Sequence, residues 1–205
     1  QLGYDFIYIH WLGQIPLAWT FLPDAMEGLP YILFAAFVIV SFANASNITD
    51  GLDGLASGVF LICLIAFLAM SQSLLDNFLM IFIAILMGSV AAFLYFNIYP
   101  ARIFLGDVGA LSFGATLAVV GLLLGKAPAL LVIGGVFVVE DASSFIQLLS
   151  KKIWGRKVFS VAPLHLWLQH NGWPEPKIVM RFWIISIVLA IFGLWIALLT
   201  KTPYG

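Results

Sequence analysis

The chain has 205 residues, of which 63% are hydrophobic and 9% charged, with a formal net charge of −1. A soluble domain carries about 25% charged residues, so charge cannot cover this surface and lipid must solvate much of it. The near-neutral balance supplies no global field for nucleic acid.

In chain order, Tyr4–Phe21 comes first. It alternates loosely and includes Pro16, which reads as an extracytoplasmic hairpin or loop. Trp11, Trp19 and the nearby tyrosines suit the headgroup level. The start at Gln1 lacks a basic n-region, so no signal peptide is expected. A membrane-spanning helix needs about 20 apolar residues, and six stretches approach that length: Leu29–Ala45, Leu55–Leu75, Asn77–Phe96, Val108–Gly125, Ala127–Leu149 and Ile178–Thr200. The expected fold is therefore all-α, a single polytopic transmembrane domain over residues 1–205. Cys63 lies inside one of the apolar runs as a small buried or lipid-facing residue; being the one cysteine, it excludes a disulfide framework.

The loops after the first, third and fifth spans share one side. They hold Arg102, Lys151, Lys152, Arg156, Lys157 and Lys177, with Arg181 close by, whereas the other side keeps Lys126 and Lys201. This bias makes the first side cytoplasmic.

Four polar constellations interrupt the apolar pattern. Asn44, Asn47, Asp50 and Asp53 recur every three residues at the end of the first span, on one face if the segment is helical. Gly51 and Gly54 leave room for a ligand to approach the backbone. A plain turn needs only one or two such caps. In the second, Asn97 to Gly109, Asp107 stands directly before a helix, where it reads either as an N-cap or as a third carboxylate beside Asp50 and Asp53. Three converging carboxylates suit a hard cation such as Mg2+, with phosphate oxygens completing the shell. Phe104 reads as a base-stacking or a membrane-facing aromatic. The third is Glu140-Asp141 inside a span, with Gln147 two turns later. Intramembrane acids face a bundle interior or cavity, and pairing with a base is the alternative to a functional site. The fourth is the basic loop that also carries His165 and His170; its four cations read equally as a topology signal and anionic-lipid contact.

The segments NASNITDGLDGLASG, FNIYPARIFLGDVGALSFG, GGVFVVED and VAPLHLWLQHNGWPEPKIVMRFWIIS, in that order, resemble the phospho-N-acetylmuramoyl-pentapeptide transferase family, within the polyprenyl-phosphate sugar-1-phosphate transferases. The resemblance implies an enzyme of the bacterial cytoplasmic membrane that moves a phospho-sugar from a UDP-activated donor to undecaprenyl phosphate and releases UMP, with Mg2+ as cofactor. It places the metal-binding aspartate on Asp107, the polar active-site motif on Asn47, Asp50 and Asp53, the uracil-stacking ring on Phe104, a loop asparagine on Asn97 and the histidine loop at His165. Asn44, Gly106 and Gln147 complete the expected substrate-binding set. Membrane lipid and a second copy of the chain are the other expected partners.

Two departures stand out. The family's three consecutive histidines are here His165-Leu166-Trp167, and its adjacent aspartate pair is absent. The family has about ten spans, so the chain is expected to correspond to its C-terminal part, without the first four. The alternatives are a non-catalytic relative that binds lipid phosphate or nucleotide, and a small transporter with Glu140 and Asp141 on its ion path.

Overall fold

The computed structural model describes residues 6–9, 13–16, 28–73 and 77–199. Two short strands, β1 (Phe6–Ile9) and β2 (Gly13–Pro16), pair antiparallel with Phe6 opposite Pro16. The hairpin expected within Tyr4–Phe21 thus forms, while Tyr4, Trp11 and Trp19 lie outside the described residues. All other regular structure among the described residues is helical: α1 (Leu29–Thr49), α2 (Leu55–Ser73), α3 (Asn77–Asn97), α4 (Gly106–Leu123), α5 (Ala127–Ile133), α6 (Gly135–Trp154), α7 (Leu164–His170) and α8 (Glu175–Leu199).

Hydrocarbon offers the backbone no partners, so these apolar stretches must satisfy their N–H and C=O groups internally, as helices do. Among the described residues five helices are long and apolar enough to cross a membrane, α1, α2, α3, α4 and α8, and α5 with α6 makes a sixth span if that bent pair is counted as one. Of these α2 is central, with 67% of its spanning window buried against 22% for α1 and α3, which leave most of their surface uncovered by the rest of the described chain. Phe60 of α2 stacks on Phe113 of α4 with centroids 4.2 Å apart, and Cys63 is buried, its thiol donating to the Ile133 carbonyl at 3.3 Å. Small residues set the close crossings, as is usual for helices in lipid. A Cβ on Gly114 of α4 would strike the Phe42 carbonyl of α1, and one on Gly58 of α2 would enter the Trp183 ring of α8.

The expected span Ala127–Leu149 is not one helix. It breaks at Gly134, and α5 and α6 meet there at 77°. The paired glycines, Gly134 and Gly135, are a common site of such a break, and the Phe42 ring occupies the space a side chain on Gly134 would need. Past the break α6 is amphipathic in an inverted sense. Glu140, Ser143, Gln147 and Ser150, spaced three, four and three apart, form a buried polar face, whereas Phe145, Leu148 and Ile153 are exposed.

Helix α1 runs to Thr49, four residues past the expected end. The polar residues there bond back to their own helix: Asn44 Nδ2 donates to the Val40 carbonyl at 2.8 Å, and Thr49 Oγ1 to the Ala45 carbonyl at 2.7 Å. The short α7 lies within a segment expected to be loop.

Candidate active site at the polar end of the bundle

The close packing of α1 against α4 through Gly114 brings the C-terminus of one to the N-terminus of the other. Asp50 follows the last residue of α1, and Asp107 lies in the first turn of α4. The Asp50 carboxyl is half-buried and rises from the ordinary 3.8 to about 6, first because burial penalises its charge, then because the Asp107 and Asp53 carboxylates repel it. Asp107 itself is exposed. It does not act as a simple N-cap: that position belongs to Leu105, and no side chain caps the helix. A carboxylate in a first helical turn is nevertheless favoured by the helix dipole.

Asp53 joins three segments. Its Oδ2 accepts from the Ala101 N–H at 2.9 Å, and its own N–H donates to Glu175 Oε1 at 2.6 Å. Asn97, at the end of α3, is buried and spends both ends of its amide on protein. Oδ1 accepts from the Ser57 hydroxyl at 2.6 Å, and Nδ2 donates to the Ile103 carbonyl at 3.0 Å. Asp53 and Asn97 therefore fix the 98–105 loop at Ala101 and Ile103. The outer side of this loop is open: Phe104 is 74% exposed, and Gly106, at φ +67°, turns the chain into α4 in a conformation that suits glycine.

The polar face of α6 holds the returning chain in antiparallel order. Ser150 Oγ donates to the Arg156 carbonyl at 2.7 Å. Gln147 Oε1 accepts from the N–H groups of Val158 and Phe159, both at 3.0 Å, while its Nε2 donates to the Phe159 carbonyl at 2.7 Å. Ser143 Oγ accepts from the Leu164 N–H at 3.1 Å. Glu140, fully buried, accepts from the His165 N–H at 3.1 Å and pairs with His165 Nδ1 at 2.9 Å. The intramembrane acid thus has its basic partner. A carboxylate on Nδ1 fixes the imidazole's orientation and leaves Nε2 facing away. There it meets Gly51: a Cβ on Gly51 would collide with Nε2, so the glycine next to Asp50 is the seat of the ring. At 1% exposure, His165 lies beneath the 50–54 turn and not in an open cleft.

The structure therefore gathers Asp50, Asp53, Asp107, Asn97 and His165 at one end of the bundle, with Phe104 and Gly106 on the open rim. Asn44 is exposed and bonded to its own helix, and Gln147 is committed to the 158–159 turn. Sequence reasoning gave no role to Glu175, which anchors Asp53, or to Trp183, whose Nε1 donates to the Gly54 carbonyl at 3.1 Å. The only signal for Glu175 was its place in Trp-Pro-Glu-Pro at the head of the last helix.

Among the described residues no Lys or Arg pairs with Asp50, Asp53 or Asp107, and no three His, Cys, Asp or Glu side chains stand close enough to hold a metal unaided. The donor set is hard oxygen with uncompensated charge. That fits Mg2+, which is commonly bound by one or two carboxylates with phosphates and water supplying the rest.

Residues 6–125, well over half of the chain, match glycosyl transferase family 4. The match covers α1 to α4 and so includes the three aspartates, Asn97 and Phe104. Several apolar helices around a polar end bearing those carboxylates agree with a multi-pass transferase that works on a lipid-phosphate acceptor and a nucleotide-sugar donor. The chain belongs to glycosyl transferase family 4, the membrane-embedded sugar-phosphate transferases.

Proposed function

We propose that this chain carries the cytoplasmic-face site of a Mg2+-dependent phospho-N-acetylmuramoyl-pentapeptide transferase, which charges undecaprenyl phosphate from a UDP-linked donor in the bacterial inner membrane. The observation that carries this reading is the meeting of Asp50 and Asp53, in the turn after α1, with Asp107 at the head of α4; burial and, after it, the neighbouring carboxylates raise the Asp50 carboxyl to about 6, and among the described residues no Lys or Arg pairs with the three. Carboxylates so arranged destabilise one another and are relieved by a divalent cation and its phosphate ligands.

The reaction is displacement at phosphorus. A bond forms from an acceptor phosphate oxygen to the sugar-linked phosphorus of the donor, the bond from that phosphorus to the bridging oxygen breaks, and UMP leaves. Positioning and charge neutralisation supply most of the catalysis. Bound Mg2+, held by Asp107, would neutralise the diphosphate. Asp50, with its raised carboxyl, stands ready to accept the acceptor phosphate's proton. Asp53 and Asn97 keep the 98–105 loop in place, so that Phe104 offers its exposed ring to the uracil. Glu140 and His165 support the 50–54 turn from below, where they act as positioning residues.

The test is UMP release from UDP-N-acetylmuramoyl-pentapeptide by the full-length protein with undecaprenyl phosphate and Mg2+. Asp107→Asn is nearly isosteric but removes a charge. It costs several kcal/mol of transition-state stabilisation, on the order of a thousandfold in rate. Unchanged turnover in that variant removes Asp107 from the mechanism. The Leu166-Trp167 pair in place of two histidines favours one second reading, a relative that binds without turnover; donor binding with no UMP release from the unaltered protein would select it.

A further inference from the structure

The last three turns of α6 and the chain that returns along them enclose a half-open cleft of about 430 Å³. One wall is Ser144, Leu148 and Lys151 of α6; the other includes Lys157 and Ser160. The cleft is built rather than incidental. Gly155, at φ +64°, reverses the chain after α6, Ser150 fixes the Arg156 carbonyl, and the buried Gln147 makes three hydrogen bonds with the 158–159 backbone. These contacts, of which Gln147 accepts two and donates one, bracket Lys157 in sequence and hold its backbone across from Lys151. Neither lysine has an ion-pair partner among the described residues, so two like charges share a cleft with no anion of the protein to balance them. The adjoining surface is apolar: Leu148, in the cleft wall, is 66% exposed, and Phe145 and Ile153 of the same helix are also exposed.

A site with two cations and hydroxyls at its mouth and an apolar helix face leading from it matches an amphiphile with a phosphate head. We infer that this cleft binds the headgroup of an anionic membrane phospholipid. The phosphate sits between Lys151 and Lys157, Ser144 and Ser160 donate to its oxygens, and the acyl chains lie along the Leu148 face. Charge complementarity selects the anionic headgroup over a zwitterionic one. The apolar wall selects a lipid over a free phosphate. The inference stands apart from the transferase reading, because the cleft uses none of the three aspartates.

Native mass spectrometry of the full-length protein, released from nanodiscs of equal parts phosphatidylglycerol and phosphatidylcholine, tests it. The expected result is selective retention of phosphatidylglycerol. Lys151→Gln with Lys157→Gln should lower that retention roughly thirtyfold, whereas Lys152→Gln, on an exposed neighbour outside the cleft, should leave it unchanged. Equal retention of both lipids overturns the inference, as does an equal loss in Lys152→Gln, which would mean surface charge alone. Displacement by millimolar inorganic phosphate would make the cleft a free-phosphate site. A Lys151/Lys157 effect confined to the KM for undecaprenyl phosphate would make it the acceptor's seat. Either of these also overturns it.

Discussion

Replacing Glu140 by alanine is the most demanding test of how the site is supported. Glu140 is fully buried and is the acceptor for both the His165 N–H at 3.1 Å and the ring Nδ1 at 2.9 Å. Its loss strands two donors and leaves a hole at the first position of the polar face of α6. Breaking a buried pair by removing one partner costs about 3–5 kcal/mol. Glu140→Gln keeps the shape and one acceptor oxygen, and costs about 1–3 kcal/mol. At about 2–4 °C per kcal/mol for a chain of this size, the alanine variant melts roughly 6–20 °C lower. The assay is thermal denaturation of the full-length protein in detergent, paired with UMP release below the transition. The glutamine variant should melt between the parent and the alanine variant. An alanine variant that melts within about a degree of the parent would refute the claim that this pair holds the loop.

Three further outcomes are expected. Gly51→Ala drives a methyl group into the buried His165 Nε2; the overpacking should cost about 1–3 kcal/mol of stability, and the shift beside Asp50 should slow transfer about a hundredfold below the transition; normal turnover would show that the ring moves freely. Asp50 has a folded carboxyl raised from 3.8 to about 6, so its contribution to stability is complete below its unfolded value and falls as pH rises through about 6. In metal-free detergent Asp50→Asn should flatten that fall and stabilise the protein at pH 7 by about 1–2 kcal/mol, a figure reduced for solvent screening of a half-buried group. A variant with the same pH profile as the parent would disprove the raised Asp50 carboxyl. Asn97→Ala orphans the Ser57 hydroxyl and the Ile103 carbonyl and should cost about 1–3 kcal/mol in the same melt; no loss would mean the 98–105 loop is held by other means.

The spans were legible because lipid imposes length and apolarity together, and both are visible in the residues of α1 to α4 and α8. The three aspartates were legible for the converse reason: acids bordering apolar runs on one side have little choice of neighbourhood. What stayed hidden depends on partners distant in sequence. Spacing puts Asn44, Asn47 and Asp50 on one face. It cannot tell that Asn97 is spent on Ser57 and Ile103, or that Gln147 is spent on Val158 and Phe159. That an intramembrane acid wants a base was readable at Glu140, but the choice of His165 was not. The break at Gly134 was also missed, because hydropathy runs through it unchanged and only the paired glycines mark it.

The inverted face of α6 bears on how the protein is made. Four polar side chains on one stripe cannot enter hydrocarbon bare, since each unmet group costs several kcal/mol there. Their partners lie between Arg156 and His165, and the ribosome produces that stretch only after the helix is complete. The segment therefore has to wait in a wet environment, at the bilayer edge or inside the insertion machinery, until its own downstream chain arrives to cover it. In a nascent chain halted at Trp154, a cysteine placed at Gln147 should react with a water-soluble maleimide, and in one extended past His170 it should not.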